Sequence, residues 1–272
     1  MRGVSVIILG YVMAILMGLI LGLIGGGGSI LTVPILVYLM GVSPDIATGY
    51  SLLLVGATAA FGAIRYFREG LVDIKASMLF ALPSIIAVYF TRAFLMPNIP
   101  DDLLLSPVHI TKNTAIMVLF AILMLASAVL MLHKVYKSKT AVLATDEVNF
   151  HPKVLLIMTE GAIVGVVTGV LGAGGGFLII PALVLFMGMP MKNAVGASLF
   201  IIALKSLLGF IGDLQTGISL EVPLLPLMLV ATFIGMAIST KVAGKLDSTS
   251  LQTFFAFFTL AVAIFIIGIE LI

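Results

Sequence analysis

The chain has 272 residues, 61% hydrophobic and 10% charged, with a net charge of +2 and no cysteine. A soluble domain is closer to about half apolar and a quarter charged, so a mean hydropathy of +1.30 excludes an ordinary water-facing fold. The missing cysteine excludes disulfides and thiolate chemistry, and so small a charge gives no reason to expect nucleic acid.

A bilayer core of about 30 Å takes about 20 helical residues. Apolar runs near that length fall at 4–24, 46–67, 76–96, 114–132, 154–171, 194–211, 222–240 and 251–269. The first reads as a span rather than a cleaved signal peptide, because no small-residue cleavage pattern follows it. Two further apolar stretches, 30–40 and 177–187, reach only about half the core at about 1.5 Å per residue. Each follows a glycine run, Gly25-Gly26-Gly27-Gly28 or Gly172-Ala173-Gly174-Gly175-Gly176, and each carries a proline, Pro34 or Pro181. The short helices are expected to start at Ser29–Ile30 and Gly176–Phe177 and to rely on the glycine loops to complete a crossing. Irregular backbone at membrane depth survives only where protein covers it or where it lines a wet cavity.

The two glycine runs belong to a repeat with one offset of 147 residues. Gly18, Gly22, Gly25, Gly27 and Gly28 fall on Gly165, Gly169, Gly172, Gly174 and Gly175. Pro34 falls on Pro181, Gly41 on Gly188, Ser51 on Ser198 and Gly62 on Gly209. The chain divides into an N-terminal repeat (1–132), a basic linker (133–153) and a C-terminal repeat (154–272). Five crossings per half make the halves inverted. With the linker in the cytoplasm, ten Lys and Arg face inside, against Arg2, Arg92 and Lys112 outside. Both termini then come out external. The alternative is a re-entrant reading of the short segments, with four crossings per half and parallel repeats. The expected fold is therefore an all-α polytopic membrane protein of two inverted five-segment repeats, each with a half-length helix after a glycine-rich break.

Inverted repeats place a site near the midplane where broken helices meet. A helix beginning there offers unpaired N–H groups and about half a positive charge, which suits an anion. The candidate binding residues are Gly25, Gly26, Gly27, Gly28 and Ser29 with Gly172, Gly174, Gly175 and Gly176. Packing alone does not call for four consecutive glycines, whereas Gly18 and Gly22 with Gly165 and Gly169 read as helix-packing faces. Ser51 and Ser198 place hydroxyls in the next helix of each half, where they line the site or bond their own helix.

Lys205 stands near the centre of one span and Glu160 within another. A central charge costs about 2.5–3.5 kcal/mol on insertion scales, so each needs a partner or a cavity. Lys205 either neutralises an anion, pairs with Glu160, or snorkels outward. Glu160 is the one acidic residue inside a span and a candidate for proton coupling. Arg65 and Arg92 sit near helix ends and are expected to meet lipid head groups. His109, His133 and His151 read as solvated loop residues without metal-ligand spacing. No metal, cofactor or nucleotide motif is read, and no catalytic constellation.

The motif Gly22-Leu-Ile-Gly25-Gly-Gly-Gly28-Ser-Ile-Leu-Thr-Val-Pro34, its second copy Gly169-Val-Leu-Gly172-Ala-Gly-Gly175-Gly-Phe-Leu-Ile-Ile-Pro181, and the following Ala47-Thr-Gly-Tyr-Ser51 and Ala194-Val-Gly-Ala-Ser198 resemble the sulfite exporter TauE/SafE family over essentially the whole chain. The first copy has Ser29 where the second has Gly176. The resemblance implies secondary transport of a small anion across the bacterial inner membrane, with sulfite, thiosulfate or an organosulfonate as candidates, by alternating access. The alternatives are a passive anion channel and a transporter of a non-sulfur organic anion. The partners implied are the anion and the lipid bilayer. Substrate, direction, coupling ion and oligomeric state are not encoded in these motifs.

Overall fold

The computed structural model describes residues 4–100, 102–104, 110–140, 154–172, 174–242 and 247–271. His109, His151, Ala173 and residues 141–153 of the basic linker lie outside the described residues. Among the described residues the chain forms ten helices. These are α1 (Val4–Ile24), α2 (Gly27–Pro34, continued by a π-helical turn, Ile35–Met40), α3 (Pro44–Arg68), α4 (Ile74–Phe90, continued through Thr91–Leu95 and Met96–Asn98) and α5 (Lys112–Thr140). They are followed by α6 (Val154–Leu171), α7 (Gly176–Pro181, continued by Ala182–Phe186), α8 (Met191–Gln215), α9 (Leu224–Val242) and α10 (Ser248–Leu271). A two-stranded hairpin, β1 (Asp102–Leu104) with β2 (Ile110–Thr111), joins α4 to α5. Hydropathy gave no hint of it.

Seven helices are long and apolar enough to cross a membrane, and the stretches Gly28–Met40, Gly176–Phe186 and Leu224–Ser239 are shorter. The chain is an all-α, multi-pass membrane protein. Its solvent-free exterior is apolar, with Val12, Ile86, Phe90, Leu155, Ile163, Val230 and Ile264 all exposed. Buried Ser and Thr, among them Ser29, Thr48, Ser51, Thr58, Thr168 and Ser198, lie inside. A helix apolar all round is buried in protein or in lipid, and an apolar belt this extensive is a lipid-facing surface.

Helix pairing follows the 147-residue offset. Helix α1 packs along α9, and its repeat mate α6 packs along α4. Helices α3 and α8 pair at the centre, α5 pairs with α10, and α2 touches α7. The glycine faces expected for packing do pack: Gly18 and Gly22 face Thr232, Met236 and Ser239 of α9, and Gly165 and Gly169 face Ser84, Ala87 and Thr91 of α4.

Both short helices carry the same local device. Proline removes one N–H and crowds the carbonyl four residues back. After Pro34 and after Pro181 the helix widens into a π turn, the form that accommodates such a defect without a break. Each then ends on a left-handed glycine, Gly41 (φ 78°) or Gly188 (φ 65°). Val42 N–H donates to Leu36 O at 2.9 Å, and Met189 N–H donates to Leu183 O at 3.0 Å. These closures reach six residues back, one more than the usual closure of a helix that ends on glycine, as a widened π turn requires.

Candidate functional site

The glycine breaks meet each other and the opposite halves. Gly25 is left-handed (φ 75°) and lies against Val195 and Ser198 of α8; its repeat mate Gly172 (φ 64°) lies against Thr48 of α3. Thr48 and Val195 are themselves repeat mates. Gly26 packs directly on Gly176, Gly28 on Met17 and Leu21, and Gly174 on Val55 and Ile202. Each position therefore has a close neighbour that a Cβ would strike. Neighbouring glycines of the run, such as Gly25 and Gly26, face different elements. The first short helix also begins at Gly27, two residues earlier than Ser29, so Gly27 and Gly28 are helical and only Gly25 and Gly26 form the break.

Lys205 is fully buried in the middle of α8. Its Nζ donates to Thr168 Oγ1 on α6 at 2.7 Å and stands beside Gly175, where a Cβ would sit 2.6 Å from it. The alternative pairing with Glu160 is not formed. Lys205 makes no ion pair among the described residues, and Glu160 is only partly buried with Oε2 unpartnered. Outward snorkelling is likewise excluded by burial. A three-donor ammonium thus holds one hydroxyl beside the second glycine break. At the repeat position stands Thr58, whose hydroxyl is shared with Thr232 at 2.7 Å.

The hydroxyl candidates divide. Ser198 Oγ donates to its own Val195 O at 2.8 Å, and Ser29 Oγ donates to Gly26 O at 2.7 Å. Ser51 Oγ is buried without a partner. Ser127 Oγ of α5 donates to Phe177 O at 2.6 Å and so fixes the first turn of α7.

Arg92 overturns its expected place among head groups. It is 2% exposed, inside α4's π-helical continuation. Its Nη1 donates to Thr48 Oγ1 at 3.0 Å and lies 3.5 Å from Asp213 Oδ1. Its partner Asp213 is buried in the last turns of α8. Arg92 Nε and Nη2 and Asp213 Oδ2 lack partners. A cavity of about 280 Å³ borders this pair and is also lined by Asp45, Lys112 and Thr216. Lys112 Nζ donates to Met96 O at 3.0 Å. Arg65 pairs with Glu69 at 2.6 Å near the surface.

The other end of the bundle holds the repeat mates of this cluster. Tyr66 stands for Asp213, Ser239 for Arg92, and Val195 for Thr48. Gly49 faces Asp213 and Ile218, and its mate Gly196 faces Tyr66 and Leu71. Tyr66 Oη donates to Gly22 O at 3.0 Å, beside Ser239. The backbone arrangement recurs and the charges do not.

A bundle of apolar-faced helices with two broken ones touching at its centre, and beside the break a buried cation without an ion-pair partner among the described residues, defines a polytopic membrane protein with polar groups in its core. The family model for "Sulfite exporter TauE/SafE" matches residues 11–266, and the chain belongs to that family. It is 30% identical over 264 residues to a protein of Xylella fastidiosa strain Temecula1, named a probable membrane transporter protein, covering 93% of this chain and 91% of that one. It is 27% identical to the Bacillus subtilis probable membrane transporter protein YunE, covering 76% of this chain and 79% of the relative. No solved structure matches the chain.

Proposed function

We propose that the chain is a secondary transporter that moves a small anion, an oxidised sulfur species such as sulfite, thiosulfate or an organosulfonate, across the bacterial inner membrane by alternating access. The observation that carries this reading is Lys205: fully buried, with one hydroxyl partner and no carboxylate among the described residues, beside Gly175 at the end of the second glycine break. A buried cation without a counter-ion is costly, and a substrate anion supplies what the protein omits. The N-terminus of α7 adds N–H groups and a favourable dipole on the same side. Gly25, Gly26, Gly27, Gly28 and Ser29 of the first break, with Ser51, Gly172, Gly174, Gly175, Gly176 and Ser198, would wall the anion. Glu160 would serve in proton coupling.

Family membership and the relatives' names support a transporter. The paired half-helices and the exchange of helix partners between halves support inverted repeats; the Lys and Arg count supports external termini and a cytoplasmic 133–153. A cysteine placed at Ala144 should then resist labelling by an impermeant reagent in intact cells. The direct test of function is an anion panel on purified protein, scored by thermal stabilisation. A ligand at a hundredfold excess over its Kd adds about 2.7 kcal/mol. Lys205→Gln should reduce that stabilisation, and more for a dianion than for a monoanion, since the charge–charge attraction scales with ligand charge. Stabilisation unchanged by Lys205→Gln would overturn the assignment.

A further inference from the structure

The cavity beside Arg92 is not part of the midplane site. It is walled by Arg92 of α4, Lys112 of α5, Asp45 of α3 and Asp213 of α8. Its charges balance, two cations against two carboxylates, so it is not a general sink for anions. Its hydrogen bonds do not balance. Arg92 uses one of its three nitrogens, on Thr48 and Asp213, and leaves Nε and Nη2 without acceptors; Asp213 leaves Oδ2 without a donor. Buried polar groups are almost always paired, and an orphan forfeits its hydration for nothing. Three orphans on one ion pair, behind one cavity wall, ask for a ligand with at least two acceptors and one donor. The repeat mates Ser239 and Tyr66 at the other end are paired by hydrogen bonds to Met236 O and Gly22 O, so the deficit is specific to this end.

We propose that this cavity is a second ligand station, taking an oxyanion that carries a hydrogen-bond donor of its own: the oxyanion faces the Arg92 guanidinium and the donor faces Asp213. A planar guanidinium presents parallel N–H groups to an oxyanion, a geometry that lysine does not offer. The orphaned atoms are covered in this conformation, and opening of this end of the bundle brings them into the cavity. The proposal thus deepens the alternating-access reading and rests on it for the opening.

The test uses two sulfonates of matched size and charge, 2-hydroxyethanesulfonate and 1-propanesulfonate, which differ in an O–H against a CH₃. Each is titrated calorimetrically into the full-length, detergent-solubilised Lys205→Gln variant, whose midplane cation is gone. The hydroxyl compound should bind about tenfold more tightly, the factor expected from one buried hydrogen bond recovered. Arg92→Gln added to this variant should abolish binding. Because that change leaves Asp213 without its cation and risks the fold, Asp213→Asn is the second variant; it keeps an acceptor for Arg92, should preserve sulfonate binding, and should erase most of the preference for the hydroxyl. Equal affinity for the two sulfonates in Lys205→Gln overturns the proposal, as does binding that survives Arg92→Gln. Binding seen in the wild type but absent from Lys205→Gln also overturns it while leaving the midplane reading intact. Failure of the midplane reading shows differently, as wild-type anion stabilisation indifferent to Lys205.

Discussion

The two ends of the central α3–α8 pair share a backbone and differ in chemistry. At one end Arg92, Asp213 and Thr48 form a buried charged cluster; at the other, the matching Ser239, Tyr66 and Val195 are neutral, and a single tyrosine hydroxyl reaches a backbone carbonyl. The same split runs through the middle, with Lys205 in one half and Thr58 in the other. Glycine positions answer to steric rules that both halves obey, because a close helix approach forbids a Cβ wherever it recurs. Charged side chains answer to no such shared constraint, and here Arg92, Asp213 and Lys205 each stand in one half without a charged counterpart at the repeat position.

The comparison breaks first at the charged end. Arg92→Leu should destabilise by roughly 3–5 kcal/mol, since it strands a buried carboxylate, and Arg92→Leu with Asp213→Leu should recover most of the loss. Denaturant midpoints of the two single variants and the double variant measure this coupling. The glycines sharpen the shared backbone next. Gly25→Ala and Gly172→Ala should each cost about 3 kcal/mol, from a left-handed φ and a collision with the opposite half. Gly188→Ala and Gly217→Ala, left-handed but in open space, should cost only about 1 kcal/mol. Melting temperatures that rank all four together would remove the steric argument. The smallest effect belongs to the neutral end: Tyr66→Phe, which loses one hydrogen bond, should cost about 1 kcal/mol, well below Arg92→Leu.

Most of the scaffold was legible in the sequence. Hydropathy located most of the long helices to within a few residues but missed the extension of α5 to Thr140, and the constant offset of glycines and prolines located both breaks. Lys205 was visible because a charge near the centre of an apolar run needs a partner or a cavity. Its partner was not, since Thr168 carries no charge and lies on a different helix. Arg92 was misplaced, and its pairing with Asp213 missed, for one reason: each sits near the end of an apolar run, where hydropathy cannot tell a head-group contact from a buried pair. Both helices run on past those runs, α4 to Asn98 and α8 to Gln215, which draws the two side chains inside. A signal was present in the phenylalanines flanking Arg92 on both sides, Phe90 and Phe94, poor company for a solvated guanidinium.

The exchange of helix partners between halves has a bearing on biogenesis. Helix α1 leaves the ribosome well before α9, yet the surface that covers its glycine face belongs to α9, residues 224–242. Until that late segment is inserted, Gly18 and Gly22 face lipid or a chaperone. A chain severed within 141–153 would then give two fragments that are each unfinished alone, and coexpression should restore a working bundle that neither fragment forms by itself.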